Sequence, residues 1–255
     1  MFPDLLTIGT FTIHTYGVCI ALGALLGILL ISYDAKKQHY DQQQILDLAF
    51  YLLIAAIIGS RVFYILLNPH YYRQHPFEMV MIWRGGLVFY GGFLFAFATC
   101  FVYLKRRQLP FLKTCDLLAP GLALGEVFGR IGCFFAGCCY GNAAKLPWSV
   151  VFNHPHSLAK VGIPLHPTQI YASLKALIVF IILISFRRYK RGDGQIIWLY
   201  TLLYAIGRLI IEPFRGDERG LLILESITLT QAIALLLIPI ALVMVVYLGR
   251  RQAAP

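Results

Sequence analysis

The run Gly129-Arg130-Ile131-Gly132-Cys133-Phe134-Phe135-Ala136-Gly137-Cys138-Cys139-Tyr140-Gly141 places a cation, four glycines and three cysteines at the end of an apolar segment. An arginine at the membrane boundary is costly unless it binds an anion or lines a wet cavity. Glycines let a backbone approach a ligand closely. The combination points to a site for an anionic group, and in a membrane the commonest anion is a lipid phosphate.

Three further cations, Arg61, Lys175 and Arg208, lie within or at the ends of apolar segments. Ionisable residues in such places are functional-site candidates. Arg130 and Arg208 both fall near span ends expected to face outward, and the planar guanidinium fork suits bidentate phosphate binding. The competing reading pairs each cation with Asp116, Glu126 or Glu212 as structural glue. Lys175 fits a snorkelling side chain. Glu212 follows Arg208 by four positions, so both share a helix face. An ion pair that orients Arg208 and a direct role for Glu212 fit equally well.

Cys133, Cys138 and Cys139 admit three readings: a structural disulfide in an oxidising compartment, metal ligands together with His154, His156 or His166, or small packing residues. The spacing C-x4-C-C matches no zinc motif, and adjacent cysteines bond each other only under strain. Packing, or a disulfide from Cys133, is favoured, and no metal is expected. His166-Pro167-Thr168-Gln169-Ile170-Tyr171 opens an apolar run. Pro and Thr suit a helix start; His166 and Gln169 at the same boundary suggest a polar site contribution. In Gly85-Gly86-Leu87-Val88-Phe89-Tyr90-Gly91-Gly92, paired glycines on either side of Tyr90 allow close packing and present the phenol to a cavity. An interfacial aromatic anchor explains Tyr90 as well.

The elements that must position these groups are membrane helices. The chain has 255 residues, 59% hydrophobic and 13% charged, against roughly 25% charged in a soluble domain. Candidate spans cover 15–33, 45–67, 87–104, 112–129, 168–186, 195–212 and 228–248, near the roughly 20 residues that cross a bilayer. The expected fold is all-α and polytopic, one transmembrane domain over 1–255 with an outward-facing loop or cap at about 130–167. The fourth span is interrupted by Pro120, Gly121, Gly125 and Glu126, and is expected to be a broken or cavity-lining helix. The first run follows no basic n-region and is read as a retained helix.

The net charge of +10 does not indicate nucleic acid. Twelve of the 22 Lys and Arg residues sit in four clusters: Lys36-Lys37, Lys105-Arg106-Arg107 with Lys113, Arg187-Arg188 with Lys190-Arg191, and Arg250-Arg251. Apart from Lys113, which opens the fourth span, these follow spans one, three, five and seven, the positive-inside pattern, with the N-terminus outside and the C-terminus cytoplasmic.

Together these residues resemble the bacterial prolipoprotein diacylglyceryl transferase family over nearly the whole chain. Tyr16-Gly17 with Ala21-Leu22-Gly23 looks like the family's first helix, and Gly59-Ser60-Arg61-Val62-Phe63-Tyr64 like its second. Gly86 to Gly92 resembles the glycine-rich start of its third. Asp116-Leu117-Leu118-Ala119-Pro120 and Gly129 to Gly141 resemble its signature region. His166 to Tyr171, and Tyr204 to Arg208 with Glu212, resemble its later motifs.

The resemblance implies transfer of diacylglycerol from phosphatidylglycerol to the lipobox cysteine thiol of a prolipoprotein, with glycerol phosphate as leaving group, in the bacterial inner membrane. It implies Arg130, Arg208 and Tyr90 as catalytic, and Tyr16, Arg61, Gly132, Cys133, Gly141, His166, Gln169, Tyr204 and Glu212 as substrate-binding. The expected partners are these two substrates and membrane lipids, with no nucleic acid, no cofactor and no metal. The attacking sulfur belongs to the substrate. The chain departs from the common pattern at four places: Tyr90 where the family usually has His, Cys133 for Asn, Cys138 for Glu, and Ala172 for Glu. A lipid-binding or transporting paralogue is the alternative; a transporter would more often show internal repeats.

Overall fold

The computed structural model describes residues 2–8, 11–82, 85–217, 222–223 and 227–251. A hairpin of β1 (Asp4–Ile8) and β2 (Phe11–His14) leads into α1 (Thr15–Lys37), followed by α2 (Gln42–Leu67), the short α3 (Pro69–Gln74), α4 (Phe89–Arg106) and α5 (Phe111–Ala136). The antiparallel pair β3 (Val150–Val151) and β4 (Pro164–Leu165) precedes α6 (Thr168–Phe186) and α7 (Gln195–Ile211). The pair β5 (Leu222–Ile223) and β6 (Ile227–Thr228) leads into α8 (Leu229–Arg251). The small strand pairs were not anticipated; the dominant architecture is helical, as expected.

Among the described residues, six helices are long and apolar enough to cross a membrane: Thr15–Lys37, Gln42–Leu67, Phe111–Ala136, Thr168–Phe186, Gln195–Phe214 and Leu229–Arg250. Large apolar side chains such as Leu29, Phe50, Ile178 and Val243 are exposed along them. In water that surface would be a liability; against lipid it is the favourable arrangement. The chain is a multi-pass helical membrane protein. The remaining expected span, the third at 87–104, is the helix α4, 18 residues long with Lys105 and Arg106 in its last turn; it is not among those six.

The chain divides into two compact units, one of residues up to 31 and from 115 onward, the other of 32–114. In the smaller unit α2 starts at Asp41, whose side chain accepts from Gln43 N at 2.9 Å, an N-cap. Helix α4 packs along α2. Gly91 abuts Gly59 and Phe63, Gly92 abuts Ala56 and Ser60, and the Tyr103 hydroxyl donates to Gln44 O at 2.9 Å. The two helices therefore run antiparallel, and glycines let their backbones approach.

In the larger unit α5 is not broken. It runs unbroken through Pro120 from Phe111 to Ala136, seven residues beyond the expected end at 129. A proline removes one helical hydrogen bond, but the helix continues through it. A Cβ at Gly27 would lie 2.9 Å from Gly121 O, and one at Gly121 would lie 2.5 Å from Ile31 Cδ1. Gly121 and Gly125 are thus the contact surface for α1, not interruptions. Arg130 and Cys133 consequently sit on the helix. The segment after it packs a small core of Phe152, Ala159 and Leu165 against Phe134, Tyr140 and Val150.

Asp116 ties α5 to the start of α7. Its carboxylate accepts from Gly194 N at 2.7 Å and Ile197 N at 2.8 Å, and lies 3.0 Å from Lys190 Nζ. A side chain from another helix thus caps α7, whose own N-cap residue is Gly194 with φ +94° and has no side chain to do so. Burial alone would lower the Lys190 pKa, but hydrogen bonds to Asp193 and Asp116 outweigh it and raise the value. Asp116→Ala should cost about 2 kcal/mol, the loss of a cap and of a partly exposed ion pair. Thermal unfolding in detergent measures this; an unchanged midpoint would show that Asp116 does not hold α7.

Candidate anion site at the ends of α5 and α7

The larger unit collects the charged residues of α5, α6 and α7. Glu126 lies one helical turn before Arg130 on α5, with its Oε1 3.7 Å from Arg130 Nε and 2.8 Å from Lys175 Nζ of α6. Lys175 does not snorkel: its side chain is 14% exposed, and its ammonium lies 4.3 Å from the centre of the Tyr204 ring, a cation–π contact. On α7, Arg208 Nη2 lies 2.8 Å from Glu212 Oε2. Glu212 is fully buried, and its Oε1 accepts from Thr228 at 2.9 Å and Thr230 at 3.1 Å. The pairing readings for Glu126 and Glu212 therefore hold, while Asp116, some 14 residues before Arg130 on α5 or about 21 Å along the axis, serves the far end of the helix.

Pairing does not exhaust the two arginines. Arg130 meets Glu126 only through Nε; its Nη1 touches Cys139 Sγ at 4.0 Å. Arg208 uses Nη2 alone, toward Glu212 and, at 3.3 Å, Thr230. Arg130 Nη2 and Arg208 Nη1 have no hydrogen-bond partner among the described residues. Arg208 lies within electrostatic range of Arg130, Lys175 and Arg215, and Lys175 within range of Arg130. Cations gathered with spare donors in a low-dielectric setting favour an anion strongly.

Backbone closes the site. Gly141 N donates to His166 O at 3.1 Å, His166 N to Asn142 O at 2.9 Å, Asn142 N to Phe214 O at 2.8 Å and Gly216 N to Tyr140 O at 3.0 Å. Gly141 lies between segments 166 and 214; a Cβ there would come within 2.7 Å of both His166 O and Phe214 O. From α6, Thr168 Oγ1 donates to Cys139 O at 2.7 Å and Gln169 Nε2 to Cys138 O at 2.8 Å. The turn carries left-handed backbone at Gly137 (φ +78°) and Cys139 (φ +57°); for a non-glycine this costs about 1–2 kcal/mol.

The turn brings three sulfurs together: Cys133, Cys138 and Cys139 Sγ all lie within 4.8 Å of one another. All three are free thiols. Hydrogen bonds from Cys133 and Cys138, then the Arg215 and Arg130 charges, hold the Cys139 thiol below its ordinary pKa. Cys138, the hydrogen-bond donor to Cys133 and Cys139, is pushed up.

Of the remaining sequence candidates, Gly132 packs against Tyr16 and Cys19 of α1, and His166 Nδ1 lies 3.3 Å from the Tyr171 hydroxyl. Gln169 is 1% exposed. Arg61 and Tyr90 belong to the smaller unit. Arg61 is 6% exposed, and its guanidinium donates to the carbonyls of Met79 (2.9 Å), Gly85 (2.7 Å), Gly86 (3.2 Å) and Glu78. It also lies over the Tyr64 and Tyr72 rings. These contacts use every nitrogen to close the loop before α4. Tyr90, in the first turn of α4, is 42% exposed. Sequence reasoning missed Thr228, Thr230 and Arg215. The two threonines reach Glu212 from 16 and 18 residues away, with no local signal. Arg215 forms a bidentate pair with Asp217 and lies between the sixth and seventh expected spans, outside every motif singled out.

The sequence profile of the family described as prolipoprotein diacylglyceryl transferase matches residues 3–247. A phosphatidylglycerol–prolipoprotein diacylglyceryl transferase of Clostridium tetani is 37% identical over 221 residues, 86% of this chain and 88% of the relative. A protein of the same name from Finegoldia magna is 36% identical over 204 residues, 80% and 79% of the two chains. One from Bacillus velezensis is 31% identical over 249 residues, 96% and 91%. With nearly the whole length matched by the profile and by relatives above 30% identity, this chain belongs to the prolipoprotein diacylglyceryl transferase family.

Proposed function

We propose that this protein transfers the diacylglyceryl group of phosphatidylglycerol to the lipobox cysteine thiol of a prolipoprotein, with Arg130 and Arg208 holding the lipid phosphate. The observation that carries this reading is the pair of arginines with unused guanidinium donors at the ends of α5 and α7. In the reaction the substrate thiolate forms a C–S bond to a glycerol carbon. The C–O bond to phosphate breaks, and its electron pair stays on the phosphate oxygen. A phosphodiester with one negative charge becomes a monoester with a second charge developing on the leaving oxygen. Donors aimed at that oxygen bind the transition state more tightly than the ground state. Glu126 and Glu212 orient the two arginines, and Lys175 keeps Glu126 from neutralising Arg130.

The attacking sulfur belongs to the prolipoprotein, and its proton leaves to a group near the site. Tyr90 is proposed as the hydrogen-bonding group for that thiol; Tyr16, Gly132, Cys133, Gly141, His166, Gln169, Tyr204 and Glu212 shape or support the binding region, whereas Arg61, expected to bind substrate, has its nitrogens engaged in the loop before α4. Residues 1–255 act as one transferase domain in the bacterial inner membrane, with no role for nucleic acid. All seven long helices cross. Antiparallel packing of α4 along α2 supports the seventh crossing, and the basic clusters then share the cytoplasmic side, with the N-terminus outside.

Three outcomes test this. Arg130→Lys and Arg208→Lys should each lower thiol-dependent release of glycerol phosphate from phosphatidylglycerol by about a hundredfold or more; full activity in both rules out bidentate phosphate recognition. Tyr90→Phe with normal lipid binding should lose about a hundredfold if the hydroxyl takes part in proton transfer; near wild-type turnover makes Tyr90 an aromatic wall. A C-terminal tag should be unreachable from outside intact cells, and an externally labelled one sinks the topology.

A further inference from the structure

We propose that Cys133, Cys138 and Cys139 form a three-thiolate site for a thiophilic d10 cation, Zn(II) or Cu(I), at the C-terminal end of α5. The linear spacing matches no zinc motif, and the sequence gives no reason to expect a metal; the folding of the turn does. The three sulfurs lie within 4.8 Å of one another. A metal 2.3 Å from each of three thiolates needs them about 4 Å apart, so closing the ligand set takes a few tenths of an ångström of movement per side chain. The cysteines come from both sides of a turn, one on the helix and two after Gly137, which is why the gap of four residues does not hinder them.

Three independent features mark the cluster as a built ligand set. Its backbone is held in the left-handed region at Cys139, a conformation that persists only where the surroundings enforce it. Thr168 and Gln169, 2% and 1% exposed, pin the carbonyls of Cys139 and Cys138, which leaves the sulfurs to face one another. The other end of that same Gln169 amide, Oε1, is buried without a hydrogen-bond partner, so the region holds an acceptor that the protein alone does not satisfy. Charge fits as well. Metal uptake releases the three thiol protons, and the trithiolate complex of Zn(II) keeps one net negative charge, that of Cu(I) two. Arg130 Nη1 already touches Cys139 Sγ, and the Arg215 charge acts on the same thiol. The fully soft donor set selects thiophilic metals over Mg(II) or Ca(II).

The inference shares Cys133 and Arg130 with the transferase reading but does not depend on it, because its test reads metal rather than turnover. The full-length protein, reduced and purified anaerobically in detergent, is titrated with Cd(II) as a spectroscopic probe, then with Zn(II) and Cu(I) against a chromophoric chelator. One cation per chain with a thiolate-to-metal charge-transfer band is expected, and C138S or C139S should weaken affinity by more than about a hundredfold. C100S/C115S should bind normally. Should the variants fail to fold, the wild-type protein still decides. Bound Zn(II) should protect Cys138 and Cys139 from alkylation as mapped by mass spectrometry. No band at one equivalent, a band that persists in C133S/C138S/C139S, or protection confined to Cys19, Cys100 or Cys115 overturns the proposal. So does oxidation of the cluster to a disulfide in a protein that takes up no cation when reduced. Preference for Zn(II) or for Cu(I) in the competition identifies which cation the site takes.

Discussion

A buried carboxylate can fix an arginine only if its own charge is met from more than one side, and the candidate site depends on that condition being met twice. Glu212 has no exposure and would be strongly unfavourable as a lone anion. Arg208 meets one oxygen, and Thr228 and Thr230 meet the other. Glu126 is shared by Lys175 and, at longer range, Arg130. Each carboxylate is thereby met from more than one side, and each arginine is kept in place with part of its fork unused. Removing either acid would leave uncompensated cations inside a helix bundle, which is why the acids belong to the binding machinery without touching a ligand.

The same arrangement explains why the charges gather where they do. Helix α5 contributes Glu126 and Arg130, α6 contributes Lys175, and α7 contributes Arg208 and Glu212. Close approach of α1 to α5 through Gly23, Gly27, Gly121 and Gly125 leaves no room for polar side chains along that contact. At the opposite end Asp116 ties α5 to α7. The two helices that carry the arginines are thus joined at both ends, which suits a site whose chemistry rests on geometry held before the substrate arrives.

Helix positions were legible in the sequence because apolar runs of membrane length leave little choice of structure. The reading of a broken or cavity-lining fourth span weighed Pro120 and the glycines by local propensity; the helix is continuous, and its glycines are accounted for by packing against α1. Arg130, Arg208 and the Glu212 pairing were legible as charges out of place among apolar residues. Lys175 carried the same signal, yet its partner Glu126 lies 49 residues earlier, so the sequence left snorkelling as the simpler account. Thr228 and Thr230 gave no signal, since threonine beside a helix start is ordinary. The convergence of three thiols was invisible for a different reason: it depends on two left-handed residues in one turn, and one of them, Cys139, is of a type that rarely adopts that conformation.

The junction around Gly141 has a consequence for how the site can diverge. Segments 140–142, 166 and 214–216 are joined through main-chain N–H and C=O groups, and such bonds do not depend on side-chain identity. Positions 141 and 216 are sterically committed, because a Cβ at either would come within 2.7 Å of backbone atoms that cannot step aside. The frame is therefore indifferent to what its flanking positions display. Thiols, amides or carboxylates can be exchanged at 133, 138 and 139 while the chain keeps its path past both arginines. A site of this construction can acquire new ligand chemistry by substitution alone, with no redesign of the fold that carries it.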